Sequence, residues 1–445
     1  TLFRSYAKNY TVGSGACKPC NPNKLEVLFS ILRSLIIGYL YELYFVYSSY
    51  VSNKNFVKLF MHQDDTPAKK LKFKQKYYLG IQMRMLTSFT QYIYIMIVYI
   101  QYNYLSLIEY SHFIEDQLAI FFNQGVGQVT SLECLLLYYG TTPQNVLYYK
   151  MLYWQILPFA KIIITIFVIF LLYLTKKIKN FTNALVISIS SIIFFEQPGV
   201  LLNLARFCAC FLRNINGAGY VELDSEVSCA DPTYRYYVKT FALPGIAFWG
   251  LLVPIITWMV LYYHRNTFDQ PTTRMRYGTL INSFKPSAYY WGLIGMLVKL
   301  GFLLCLSLIH NQGIAFQTAF VLMVGFYYLF IKRKPYSSRE FMKMEEYSIQ
   351  CFILTLFLMS YLNNAGTSEL ALVIVIPAIL GLANLAVIMY ILSKIISFYL
   401  RSRRIAKEAV FRGHLALSLV EKRWEDLEEE DPDQTIKKAE QNKGL

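Results

Sequence analysis

Apolar stretches of about twenty residues, nearly free of charge, recur along this sequence from one end to the other. A helical run of 18 or more apolar residues is long enough to cross about 30 Å of hydrocarbon. A soluble helical core of the same length would carry a polar face at helical spacing. Segments such as IIITIFVIFLLYL (162–174) carry none. Charged residues make up only 16% of the chain, against about 25% in soluble domains. The chain therefore reads as an all-α polytopic membrane protein of about nine transmembrane helices. These are expected at 27–49, 81–107, 153–175, 183–207, 241–263, 287–309, 314–331, 347–363 and 370–399.

The formal net charge of +15 does not indicate nucleic acid, because the cations lie in short loops and in the tail. Lys54, Lys58, Lys69, Lys70, Lys72, Lys74 and Lys76 follow the first span, and Lys176, Lys177 and Lys179 the third. Arg265, Arg274, Arg276 and Lys285 follow the fifth, and Lys332, Arg333, Lys334, Arg339 and Lys343 the seventh. The alternate loops 108–152 and 208–240 are richer in acids, with Lys150 against Glu109, Glu115, Asp116 and Glu133 in the first and Glu222, Asp224, Glu226 and Asp231 in the second. Lysine and arginine mark cytoplasmic loops, so the N-terminus is expected outside and the C-terminus inside. Residues 1–24 read as the end of an extracellular cysteine-rich region and 25–400 as the membrane domain, with 108–152 and 208–240 as its outer loops. Residues 401–445 read as a cytoplasmic charged tail whose first half continues the last span as an amphipathic helix.

Six of the eight cysteines, Cys17, Cys20, Cys134, Cys208, Cys210 and Cys229, fall on or beside the expected outer side and are disulfide candidates. Cys134, Cys208, Cys210 and Cys229 admit three pairings. A zinc site is the rival reading for CKPC (17–20), but no second Cys or His pair follows nearby. Asn9-Tyr10-Thr11 is a glycosylation sequon, with Asn9 on the outer side.

The segment FFEQPGVLLNLAR (194–206) sets Glu196, Gln197 and a helix-breaking Pro198 within an expected span. A charge near the bilayer centre costs at least about 2.5–3.5 kcal/mol and persists when it is paired or faces water. Lys161, Lys299, Glu42 and Arg33 share this situation. Glu196 is expected to face the bundle and meet Lys299 or Lys161, lining an ion pathway or fixing helix register. Pro198 frees a carbonyl near position 194. The basic loop Lys332, Arg333 and Lys334 is read as a helix stop and anchor that faces lipid, with phosphoinositide binding as the sharper alternative.

No Gly-rich phosphate loop, HExxH helix or GxSxG elbow occurs. The five histidines are scattered, with no metal-ligand spacing. No catalytic residue, metal site or cofactor is expected, and the chain does not read as an enzyme.

Several motifs, in order along the chain, resemble a known group. GIQMRMLTSFTQYIYIM (80–96) resembles a characteristic helix of protist membrane proteins that carry cysteine-rich repeats outside. Their membrane domain is similar to that of fungal and polycystin-type transient receptor potential proteins. SLECLL (131–136), ILPFAKIIITIF (156–167), CFLRNINGAGYVELDSEVSC (210–229) and FALPGIAFWGLLVPI (241–255) resemble its outer loops and helices. RYGTLINSFKPSAYYWGLIGMLVKLGFL (276–303) and KRKPYSSREFMKMEEYSI (332–349) follow, and ACKPC (16–20) looks like the end of a cysteine-rich repeat. The chain departs from the group's pattern at Phe284, Gly292 and Glu196. The resemblance implies a surface protein of the plasma or ciliary membrane, acting as a gated cation channel or membrane sensor subunit. It would contact membrane lipids and form a homo- or hetero-oligomer with other membrane or extracellular proteins, without nucleic acid. The alternatives are a non-conducting anchor or structural subunit of an extracellular cysteine-rich assembly, and a lipid or solute transporter.

Overall fold

The computed structural model describes residues 10–13, 16–19, 23–61, 67–104, 126–178, 180–212, 219–221, 223–309, 311–365 and 370–412. A short hairpin, β1 (Tyr10–Gly13) and β2 (Ala16–Pro19), precedes α1 (Lys24–Met61) and α2 (Pro67–Tyr104). Then come α3 (Val126–Tyr138), α4 (Pro143–Leu174) and α5 (Phe181–Cys208). A three-stranded antiparallel sheet follows: β3 (Cys210–Leu212), β4 (Gly219–Val221) and β5 (Asp224–Ser228). The chain continues as α6 (Pro232–Tyr263), α7 (Pro271–Ile281), α8 (Trp291–Leu308), α9 (Gln312–Arg333), α10 (Arg339–Ala365) and α11 (Leu370–Arg412). Asn9, Cys20 and the tail beyond Arg412 lie outside the described residues.

Local chemistry sets these boundaries. Asn180 and Asn311 each accept a backbone N–H three residues on, at 3.2 Å, and so cap α5 and α9. Prolines open α4, α6 and α7, where the missing N–H would be unsatisfied anyway. Helix α9 stops because Lys334 turns left-handed (φ 45°) and Pro335 follows.

Among the described residues, seven helices are long and apolar enough to cross a membrane: α1, α4 within 145–174, α5, α6, α8 within 286–308, α9, and α11 within 378–397. Seven of the nine expected spans meet this measure. The expected spans 81–107 and 347–363 lie on α2 and α10, which fall short of that composition. The reason is where their polar residues point. Along 77–96 of α2 no residue is exposed, and Gln82, Thr87 and Gln91 are buried. On α10 the polar side chains Ser348, Thr355 and Ser360 are likewise buried. A helix enclosed by other helices need not be apolar. That holds for α2, whereas α10 exposes Tyr347, Leu354, Phe357 and Tyr361. Leu25, Phe29, Leu32, Ile36 and Leu40 form an exposed apolar stripe on α1, and α4 exposes Ile156, Phe159, Ile163 and Phe167.

The elements within the expected loops also differ from the reading. Loop 108–152 contains α3 and the start of α4, and loop 264–286 contains α7. Helix α4 begins ten residues before the expected 153, since Pro143 opens it.

Helices α1 and α2 pack closely because Gly80 lacks a side chain. A Cβ there would lie 2.5 Å from Ser52 Cβ and 3.1 Å from the Ser48 carbonyl. Gly80→Ala is therefore expected to cost about 1–3 kcal/mol, read as a lowered thermal unfolding midpoint. The core runs through Leu204, Phe207, Phe302, Phe330, Phe341 and Phe352, all nearly inaccessible.

The two ends of the bundle are built differently. At one end the β3–β5 sheet is fastened by a Cys210–Cys229 disulfide, and Tyr234 donates its hydroxyl proton to the Phe207 carbonyl at 2.8 Å. A loop of this size held by a disulfide contributes about 3 kcal/mol in the chain-entropy account. At the other end two loops clasp each other. Lys285 N–H donates to the Pro335 carbonyl (2.8 Å), Ser337 N–H to the Ser283 carbonyl (3.1 Å), and the Phe284 and Tyr336 rings meet at 5.0 Å. Helix α5 joins the two ends, since Arg276 of α7 donates to Asn183 near its start (3.2 Å).

Candidate functional site

Two groups of buried polar residues stand within the helical bundle. The first is the junction of α1, α4 and α5. Lys161 Nζ donates to Glu196 Oε1 at 2.6 Å and lies 3.3 Å from Glu42 Oε2. Glu42 is fully inaccessible, Lys161 3% exposed and Glu196 6% exposed. One turn away, the Tyr39 and Thr165 hydroxyls share a hydrogen bond at 2.9 Å. Residues 39 and 42 on α1 and 161 and 165 on α4 are one turn apart on each helix, so these are two successive polar rungs between the pair. Neither carboxylate oxygen of Glu42 has a hydrogen-bond partner among the described residues.

Gln197 is not part of this ionic group. It donates to the Trp249 carbonyl at 2.8 Å. Trp249 sits in a π-helical turn (Phe248–Leu252) of α6, and a second such turn covers Val238–Ala242. Gln155 of α4 donates to Phe241 in that second turn, at 3.4 Å. Two glutamines thus take up carbonyls in the two widened turns.

The second place lies between α2, α8, α10 and the clasp. A cavity of about 70 Å³ is lined by Arg84, Tyr92, Tyr289, Trp291, Lys299 and Glu345, among others. That is room for on the order of five waters. A smaller pocket of about 20 Å³ shares Ser88, Tyr92, Phe326 and Glu345 with it. Lys299 donates to Gln91 Oε1 at 2.8 Å and stands over the Tyr92 and Phe194 rings at 5.1 and 5.3 Å. Arg84 hydrogen-bonds Ser283 and stands over the Phe284 ring. Burial, with Glu345 beside it, pushes the Tyr336 hydroxyl well above the usual phenol range, so it stays protonated at the clasp.

Of the two partners expected for Glu196, the structure places Lys161 there, and Lys299 belongs to the second group. Gln91 also donates to the Phe195 carbonyl (3.1 Å), next to the one that Pro198 leaves without its helical donor. Arg33 is exposed and outside both groups. Lys332, Arg333 and Lys334 are exposed at the end of α9, beside the clasp. Sequence reasoning missed Arg84, Gln91 and Glu345. Gln91 alone had a signal, an amide inside an otherwise apolar run. It also took Glu133 and Lys150 for loop charges, whereas they form a buried ion pair between α3 and α4.

Among the cysteine candidates, Cys210 pairs with Cys229, and Cys134 is disulfide-bonded. Cys208 is a free thiol, a correction to its place among the disulfide candidates. It ends α5, while Cys210 opens β3 and lies in reach of Cys229. Cys17 lies on β2. Among the described residues no His, Cys, Asp or Glu cluster suits a metal ion.

No protein-family model matches this chain, and no solved structure matches it. Over 221 residues, 46% of the chain, it is 22% identical to Cysteine repeat modular protein A of Toxoplasma gondii. The chain spans about 7% of the length of that protein.

Proposed function

We propose that this chain is the membrane-embedded part of a larger surface protein and works there as a sensing or cation-conducting subunit like those of transient receptor potential proteins. The observation that carries the reading is Lys161 held between two carboxylates at a three-helix junction. Ionisable groups are costly inside a membrane and are retained mainly where they move charge or respond to it. A nine-span arrangement with the N-terminus outside agrees with the charge alternation of the loops, and α2 is its protein-enclosed member. A plasma or ciliary membrane, a lipid-exposed basic loop and an oligomer with other membrane or extracellular proteins complete the proposal.

The test is cation flux through the chain in liposomes. Glu196→Gln is expected to lower the flux roughly tenfold, as a barrier change of about 1.4 kcal/mol would. Unchanged flux with reduced stability would instead make the junction a register device. A second reading, a non-conducting anchor, draws support from the disulfide-fastened sheet end and from the similarity to a cysteine-repeat protein. It expects no flux from any variant. The cavity near Lys299 is the feature on which a lipid or solute transporter would be built.

A further inference from the structure

Lys161 is outnumbered. It faces Glu196 of α5 at 2.6 Å and Glu42 of α1 at 3.3 Å, and all three side chains are enclosed. The other titratable groups near the junction are phenols, Tyr39 on α1 and Tyr153 on α4. Helix α5 adds the uncharged Gln197 and Ser191. Arg33 of α1 is exposed. With both carboxylates ionised, one cation would stand against two anions away from water. An uncompensated buried charge costs several kcal/mol, and such a group takes up a proton instead. The two carboxylates are not equivalent. Glu196 accepts a hydrogen bond from Lys161, whereas Glu42 is farther off and, among the described residues, neither of its oxygens has a hydrogen-bond partner.

We propose that the Glu42–Glu196 pair is a proton-binding site that holds one exchangeable proton, on Glu42, beside a Lys161–Glu196 ion pair. The balance is simple. A proton from water adds to a Glu42 carboxylate oxygen to give a neutral carboxylic acid. Its release to water restores the carboxylate and leaves the junction with one excess negative charge. Two carboxylates then compete for Lys161, which weakens the hold of α1 on α4 and α5. The proton is thus a ligand of the three-helix packing. The proposal rests on the same residues as the proposed function, but its test reads a proton and not a current, so the two can fail separately.

The experiment is infrared spectroscopy of the purified full chain in lipid nanodiscs at neutral pH, in H₂O and D₂O. The wild type is expected to show a carboxylic acid C=O band, shifted by D₂O, at the high-frequency edge typical of a carbonyl without hydrogen bonds. Glu42→Gln and Glu196→Gln should each remove that band, since each leaves one carboxylate for one lysine. Lys161→Met should double it. Spectra of wild type and Glu42→Gln that coincide in this region overturn the proposal. So does a lost band at the low-frequency, hydrogen-bonded edge, because it places the proton on Glu196. The two glutamine variants match a neutral carboxyl in shape, so the test does not depend on Lys161→Met folding.

Discussion

Replacing Lys161 with Met is expected to cost about 3–5 kcal/mol, the penalty for removing one partner of a buried ion pair. Two enclosed carboxylates would remain, with no other cation in reach among the described residues. Both must then hold protons in the folded state, one more than in the wild type. Any state that opens the junction to neutral water releases them. The sign follows: the folded variant binds the extra proton, so its deficit shrinks as pH falls and grows as pH rises, by about 1.4 kcal/mol per unit. Thermal unfolding in nanodiscs across mildly acidic to neutral pH measures this. A deficit that does not change with pH would contradict the charge count. Adding Glu196→Gln to Lys161→Met should recover part of the loss, because the two sites are coupled.

Phe330→Ala is expected to cost a further large amount, about 3–5 kcal/mol, as deletion of a fully buried aromatic ring does. The Phe330 ring is inaccessible and meets Trp291 at 6.1 Å and Tyr336 at 6.3 Å. It therefore supports the clasp from beneath, where Phe284, Tyr336, Ser283 and Pro335 join the loops before α8 and after α9. Limited proteolysis should cut the variant between Lys332 and Arg339 sooner than the wild type. An unfolding midpoint unchanged by the mutation, with unchanged cleavage, would show that the clasp stands without the ring.

What could be read from the residues follows from what hydropathy measures. It reports the surface a helix turns toward its surroundings, so the apolar stretches of α1, α4 and α6, with broad exposed apolar faces, were legible, while their polar extensions of about ten residues were not. Helix α2 was placed, but its enclosure was not legible, since hydropathy does not tell which of its polar residues point into protein. The Glu196 site was legible because a lone carboxylate in an apolar run stands out. Its partner was not, because Lys161 and Lys299 are equally plausible until the helices are placed side by side. Arg84 and Glu345 lie within motifs that carry the resemblance, but nothing singled them out as site residues. They sit at the margins of apolar runs, where charge is ordinary, and only the packing of α2 against α8 and α10 makes them neighbours of one cavity. Cys208 illustrates the same limit: four cysteines near one another do not state their pairing.

The enclosure of α2 has a consequence for biogenesis. A segment carrying Gln82, Arg84 and Gln91 gains little by partitioning into lipid alone. Arg84 and Gln91 find their acceptors and donors in Phe195, Ser283 and Lys299, all synthesised more than a hundred residues later. Until those arrive, α2 can rest only against α1, through the close Gly80 contact. Integration of this helix is therefore tied to the completion of the chain, and a ribosome stalled before α8 should leave α2 extractable from the bilayer.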